Sequence, residues 1–358
     1  MNKILPLQSL RAILCLIVVI VHFTPYEKLY FHNHYLAGIA VLGFFILSGY
    51  VLTLNYYEKI INQNNLFSFI KKRFFRLFPL HLFFLILFLF LEFLKYQITI
   101  GFNLKINSEI FEYNNLYTFL SNLFLINTLN NYLSFNLPSW AVSAEFLSSI
   151  IFGFFILIFK KKFLIIAYII FLFIIFFFLK LEYNLIQYNG YLSLLSCLAC
   201  YFLGCVLYSL SNNKYLIFLL SNYSIQFFNF VILLFVLKYN YSSFIVIFNF
   251  FIIIFFLIRL DNKSFFFKII TNKLLIKIGN ISYSIYLSHY FIYWLVTQLF
   301  RHILKIETLD SYVNSTFIIQ NYNIYLIKLF ISIILTIILS IFVYIFVEKK
   351  FEIKKLSR

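Results

Sequence analysis

L-R-A-I-L-C-L-I-V-V-I-V-H (Leu10 to His22) is an apolar run that carries a cation, Arg11, near one end and an imidazole, His22, at the other. At about 100° per residue, eleven steps return to within roughly 20° of the starting direction, so both side chains lie on one stripe of a helix. They are separated by about 16 Å of rise. Ionisable groups inside a bilayer-spanning helix are costly; they usually face a polar interior and mark a pathway or a reaction. An aligned pair is the outline of a channel-like site with a polar group at each end.

The rest of the chain supports a membrane reading of that segment. Its 358 residues are 63% hydrophobic and 11% charged, with a mean hydropathy of +0.94. A soluble surface needs far more charge. Period-2 alternation of the barrel type is absent, so the expected fold is all-α and polytopic. Ten spans are expected, at roughly 8–24, 36–56, 75–96, 139–159, 162–180, 191–210, 224–238, 242–258, 282–303 and 323–347. Placing both termini in the cytoplasm puts 21 of the 29 Lys and Arg on the inner side, in groups such as Lys71 to Arg76, Lys160 to Lys162 and Lys349 to Arg358. That asymmetry is the positive-inside pattern, so the net charge of +17 reports topology and not nucleic-acid affinity.

No linker, low-complexity tract or clear repeat divides the chain, and one domain over 1–358 with no appended soluble domain is expected. Arg11 interrupts the first apolar run and no small-residue cleavage site follows, which argues against a cleavable signal peptide. The longest outer stretch is 97–138, where the semi-apolar piece from Leu116 to Leu133 either lies along the interface or re-enters the membrane. Cys15, Cys197, Cys200 and Cys205 all fall inside spans without a nearby His or acid, so they read as small packing residues and no metal site is expected. The 52 Phe and 28 Tyr read mainly as lipid-facing packing.

A few polar groups within the spans can carry chemistry. His22 can act as a general base near neutral pH, or be a helix-end ring that reaches interfacial water. Arg73 and Arg76 in K-K-R-F-F-R share a helix face and suit a phosphate or pyrophosphate; equally, they can be a basic flank that fixes orientation. Glu145 lies several residues into the apolar helix that follows Pro138, and there it needs a partner. It either meets His22 at the same depth, holding the tautomer of the imidazole, or makes a structural hydrogen bond to another helix. Tyr283, Tyr286 and His289 form a stripe three residues apart that either lines a path or ties helices together. His81 has no such company and reads as packing.

These segments, taken in order, resemble the acyltransferase-3 family of bacterial integral-membrane O-acyltransferases over nearly the whole chain. L-Q-S-L-R-A-I-L-C-L-I-V-V-I-V-H (Leu7 to His22) is similar to the family's first helix, with ten residues between its Arg and His. G-F-F-I-L-S-G-Y (Gly43 to Tyr50, with Ser48) resembles F-F-V-L-S-G-F, and Arg73 and Arg76 match R-x-x-R. W-A-V-S-A-E resembles W-S-L-S-V-E, through Trp140, Ser143 and Glu145. I-S-Y-S-I-Y-L-S-H and the closing F-V-E-K-K-F resemble late-chain motifs. Gln8, Ala141 and Leu42 depart from residues frequent in the family.

The resemblance implies transfer of an acyl group, most often acetyl, from cytoplasmic acyl-CoA to a hydroxyl of an extracytoplasmic glycan, in the bacterial inner membrane. It further implies that His22 is the essential catalytic residue and that Arg73 and Arg76 serve the CoA side; the spacing agrees, with His22 expected to be oriented by Glu145 and Arg11 to line the path between. Trp140, Ser143, Ser48, Tyr283, Tyr286 and His289 are expected to line or support that path. Acyl-CoA is then a co-substrate, with no permanently bound cofactor. The partners are the bilayer and a surface glycan such as lipopolysaccharide. Two other classes fit a polytopic chain, a glycan-precursor transporter or flippase and a lipid-linked-sugar polymerase. Only the acyltransferase needs CoA.

Overall fold

The computed structural model describes residues 4–23, 30–63, 65–102, 111–130, 135–187, 190–239, 242–300, 304, 309–310, 317–318 and 322–353. Its long helices are α1 (Leu5–His22), α2 (Tyr30–Gln63), α3 (Leu66–Phe102), α5 (Ser139–Phe159), α6 (Phe163–Lys180), α7 (Gly190–Leu210), α9 (Tyr223–Tyr239), α10 (Ser243–Arg259), α13 (Ser282–Gln298) and α14 (Tyr322–Val343). Shorter helices α4 (Leu116–Leu123), α8 (Lys214–Leu220), α11 (Phe265–Ile270), α12 (Lys273–Asn280) and α15 (Lys349–Ile353) lie between or after them. A two-residue antiparallel ladder pairs Leu309 with Ile318 and Asp310 with Phe317.

Each predicted span is occupied by a helix, because a long apolar run can satisfy its backbone in lipid only by bonding to itself. Among the described residues six stretches are long and apolar enough to cross a membrane: Leu5–His22, Tyr35–Asn62, Leu66–Gly101, Ser139–Lys180, Gly190–Leu210 and Leu326–Phe351. The fourth of these is two helices, parted where Lys160 takes a φ of +46°. Helices α9, α10 and α13 have 17 residues each and fall just short of the same length. The expectation of a helical, multi-pass membrane protein holds; the figure of ten spans is not reached, since the described residues give six segments of spanning length, or seven if the bent pair Lys214–Leu220 and Tyr223–Ile232 is one span.

Local chemistry explains where the elements start. Pro6 sits in the first turn of α1, where its missing N–H removes no helical bond. The short helices are opened by side-chain caps: Asn115 accepts from the Thr118 amide, Asn213 from Tyr215 and Leu216, Ser264 from Phe267 and Asn272 from Leu274. Pro79 lies within α3, where membrane helices tolerate proline, and the Tyr283 hydroxyl donates to the carbonyl of Leu77 at 2.6 Å.

Packing then sets which helices touch. Helices α2 and α7 approach backbone to backbone at two glycines. A Cβ on Gly49 would lie 2.0 Å from the Tyr201 carbonyl oxygen, and one on Gly204 would lie 2.3 Å from that of Ile46. Lipid supplies no hydrophobic drive between helices, so small residues that allow such approach hold the pair together by dispersion. Helices α13 and α14 share a polar seam in which the Ser288 and Ser340 hydroxyls bond at 2.7 Å, and the Cys15 thiol ties α1 to α13 by donating to the Ser282 carbonyl at 3.3 Å.

The stretch 116–130 forms a layer over the ends of α5 and α7. Its buried side is polar: Thr118, Asn122, Asn127 and Thr128 are enclosed, while Leu116, Tyr117, Leu120 and Phe124 are exposed. That is the inverse of the pattern a soluble amphipathic helix shows. The layer is pinned by Ser143, which donates to the Leu125 carbonyl at 2.7 Å, by Asn127 donating to Ser139 at 3.2 Å, and by a 2.7 Å bond between Thr128 and Ser193.

Gly49→Ala should destabilise the protein by the roughly 1–3 kcal/mol typical of overpacking, because the clash is with backbone that cannot rotate away. Gly101→Ala, with open space around the added carbon, should be neutral. Thermal unfolding in detergent measures both; equal behaviour of the two variants would remove the close approach from the account.

Candidate active site

Two polar clusters occupy the interior, one at each end of the stripe on α1. At the His22 end, the ring of His289 from α13 stands beside it with centroids 5.0 Å apart and planes inclined by 60°. His22 Nδ1 lies 2.8 Å from the Val18 carbonyl oxygen, and His289 Nδ1 lies 2.6 Å from that of Tyr286. A carbonyl can only accept, so in each neutral ring Nδ1 carries the hydrogen and Nε2 carries the lone pair. His22 is half-buried and His289 fully buried. Tyr286 closes the group: its ring is 5.8 Å from that of His289, and its hydroxyl donates to the Pro138 carbonyl at 3.1 Å.

At the other end Arg11, Arg73, Arg76, Glu145 and Glu348 gather within electrostatic reach of one another. Arg73 donates to Glu145 Oε1 at 2.5 Å, and the same oxygen accepts from the Ser48 hydroxyl at 2.9 Å. Arg76 faces Glu348 at 3.2 Å, and the other carboxylate oxygen of Glu348 accepts from Ser284 at 2.6 Å. Arg11 makes no ion pair or hydrogen bond among the described residues, although the charges of Arg76, Glu145, Glu348 and Arg73 all act on it. Three guanidiniums against two carboxylates leave the cluster one positive charge in excess. A charge buried in apolar surroundings is tolerated when it is paired.

This geometry corrects one expectation outright. Glu145 does not orient His22; a helix carbonyl does, and the carboxylate is held by Arg73 and Ser48. The reason is depth. The start of α5 is set inside the bundle, with Asn136 and Ser139 buried and the Asn136 amide donating to the Leu287 carbonyl at 3.0 Å. Pro138 is therefore level with Tyr286, and Glu145, seven residues on, lies about 10 Å further toward the basic end. Nor do Arg73 and Arg76 project as an open cationic surface; both are paired inside.

The remaining expected residues divide by role. Ser48 supports Glu145 and Tyr283 holds α3 to α13 beside the charged cluster. Trp140 packs edge-on against Phe45 in the core, and Ser143 latches the 116–130 layer. Glu348 is the member of the charged cluster that the sequence reading did not single out. A π-helical turn over Tyr344–Glu348 accompanies its burial at the end of α14, and such turns recur where a side chain is re-aimed for function. Tyr201 was also missed: it is fully buried near Arg73 and Glu145, in a span whose apolar run marks nothing special.

Removing Glu145 alone strands the Arg73 guanidinium, so Glu145→Met should cost roughly 3 kcal/mol, as should Arg73→Met. The double variant should cost clearly less than the sum. A thermal-unfolding double-mutant cycle in detergent measures the coupling, and strict additivity would mean that the pair is not coupled.

Comparison with known proteins adds one finding. A family model described as an acyltransferase domain, Acyl_transf_3, matches residues 6–345. No curated protein and no solved structure matches the chain. The matched stretch includes α1 with both of its polar ends, the Arg73–Glu145 pair and His289, and stops three residues before Glu348; with nearly all of it matched, the chain belongs to the acyltransferase-3 family.

Proposed function

We propose that this membrane acyltransferase moves an acyl group, acetyl by preference, from acyl-CoA at its basic, cytoplasmic end to a hydroxyl of an extracytoplasmic polysaccharide or glycolipid in the bacterial inner membrane. One observation carries the reading: a charged cluster around Arg11 and a base at His22 stand at opposite ends of a stripe on one unbroken helix, about 16 Å apart. Extended pantetheine is long enough to span a good part of the roughly 30 Å apolar core, so a donor whose phosphates stay at the basic end can present its thioester deep in the bundle.

The groups offered to those phosphates are Arg11, which pairs with no carboxylate among the described residues, and Arg76 with the exposed Lys71 and Lys72 nearby in sequence. Arg73, held by Glu145, shapes the site. The acceptor oxygen attacks the thioester carbonyl carbon while His22 Nε2 takes its proton. The carbon–oxygen bond forms and the carbon–sulfur bond breaks. The departing thiolate then takes the proton from the imidazolium, leaving free CoA and a neutral His22.

The transporter alternative calls for paired broken helices at the substrate site. Among the described residues one helix pair, Lys214–Leu220 with Tyr223–Ile232, is bent, by 66°, and it holds no residue of either cluster. The acyltransferase reading is therefore preferred.

NMR of surface glycans from the native strain, a deletion, and the deletion complemented with His22→Ala tests it. Loss of base-labile O-acetyl signals in both mutants is expected, since a general base contributes about 10²-fold or more, with the variant still inserted in the membrane. Undiminished acylation by His22→Ala would remove that residue from the mechanism. Unchanged acylation in the deletion, with altered glycan amount, would favour transport or polymerisation.

A further inference from the structure

We infer that Lys328 and Ser332 form a subsite for an anionic group of the acceptor, a carboxylate or phosphate carried on the glycan near the hydroxyl that is acylated; the inference deepens the proposed function and rests on it. Lys328 lies about two turns into α14. A lysine near the end of a membrane helix ordinarily snorkels to the headgroups. Lys328 does not: it is 2% exposed, while Leu326, Ile327 and Phe330 beside it are exposed on the lipid face. Its ammonium lies over the Tyr293 ring of α13, 5.1 Å from the centroid. It makes no ion pair or hydrogen bond among the described residues, and no described carboxylate acts on it.

Ser332, four residues on, shares that face of the helix. Its hydroxyl is buried and has no hydrogen-bond partner among the described residues, whereas Thr336 and Ser340 further along the same face donate to carbonyls of their own helix. A ring face gives a cation a partial partner but no opposite charge. A buried ammonium with an unbonded hydroxyl one turn away is costly, and both are satisfied together by a group that is negative and accepts several hydrogen bonds. Carboxylate and phosphate are such groups.

The place identifies the bearer. The Tyr293 ring stacks on that of Phe23 at 6.2 Å, and Phe23 directly follows His22 and stands 6.3 Å from the His289 ring. Lys328 is therefore two ring contacts from the His22 end, a separation that a sugar residue or two bridges. The phosphates of CoA are assigned to the far end of α1, around Arg11. An anion arriving beside Tyr293 comes with the acceptor.

The full-length protein in nanodiscs is assayed with radiolabelled acetyl-CoA and glycan extracted from the deletion strain, which supplies the unacylated acceptor. Loss of a charge-assisted contact is worth about tenfold or more, so Lys328→Met should raise the acceptor KM by that factor and leave the acetyl-CoA KM unchanged. Lys328→Arg should retain most of the affinity, and Ser332→Ala should lose severalfold. The same glycan is also tested after amidation of its carboxylates and after dephosphorylation. One treatment should bring the wild type to the level of Lys328→Met without further effect on that variant, and which one does so identifies the anion. A wild-type acceptor KM in Lys328→Met, a rise of both KM values together, or a wild type indifferent to both treatments overturns the subsite. Absence of any transfer by the wild type overturns the acyltransferase reading itself, and the subsite with it. Should Lys328→Met fail to accumulate, the response of the wild type to the two treated glycans decides alone.

Discussion

The ion pair between Arg73 and Glu145 is the interaction around which the interior is arranged. A guanidinium in apolar surroundings must find a carboxylate or leave, and here the carboxylate comes from a different helix and is braced by Ser48 from a third. One bond therefore fixes α2, α3 and α5 at a common depth. The second pair, Arg76 with Glu348, does the same for α3 and the end of α14, with Ser284 of α13 as its brace. Between them stands Arg11, the cation of the group with no carboxylate bound to it among the described residues. The excess positive charge of the cluster is thus focused on the helix that also carries His22.

That arrangement divides the work along α1. One end concentrates positive charge suited to a phosphate-bearing donor, and the other holds a half-buried imidazole whose tautomer is set by its own helix. Glu145, which would be needed to support His22 in a triad-like scheme, is occupied elsewhere. The Val18 carbonyl stands on Nδ1, where such a scheme would put a carboxylate, and a second histidine ring lies beside it. In a low-dielectric interior, a neutral ring is a less costly resident than a charged one, since it needs no counter-ion until a proton arrives.

Much of the fold is legible in the sequence because lipid imposes a simple rule: apolar runs become helices, and charges inside them need partners. The positions of the helices and the importance of Arg11, His22, Arg73, Arg76 and Glu145 follow from that rule. Which charge meets which does not. Glu145 was expected beside His22 by counting residues from the start of its span, a count that assumes the helix begins at the membrane surface. The 116–130 layer covers that start and sets α5 deeper. Glu348 reads as the polar edge of a last helix, and its burial depends on a π turn that no residue pattern announces. His289 gains its meaning from a neighbour 267 positions away in sequence, a pairing that only the packing of α13 on α1 creates.

The claim on which the account turns is that donor and acceptor approach from opposite ends of the bundle. Right-side-out membrane vesicles from the native strain can be loaded with radiolabelled acetyl-CoA in the lumen, or given it only outside. The account predicts base-labile label on outward-facing glycans from the enclosed donor alone. Label acquired from external donor, with none from the lumen, would contradict it.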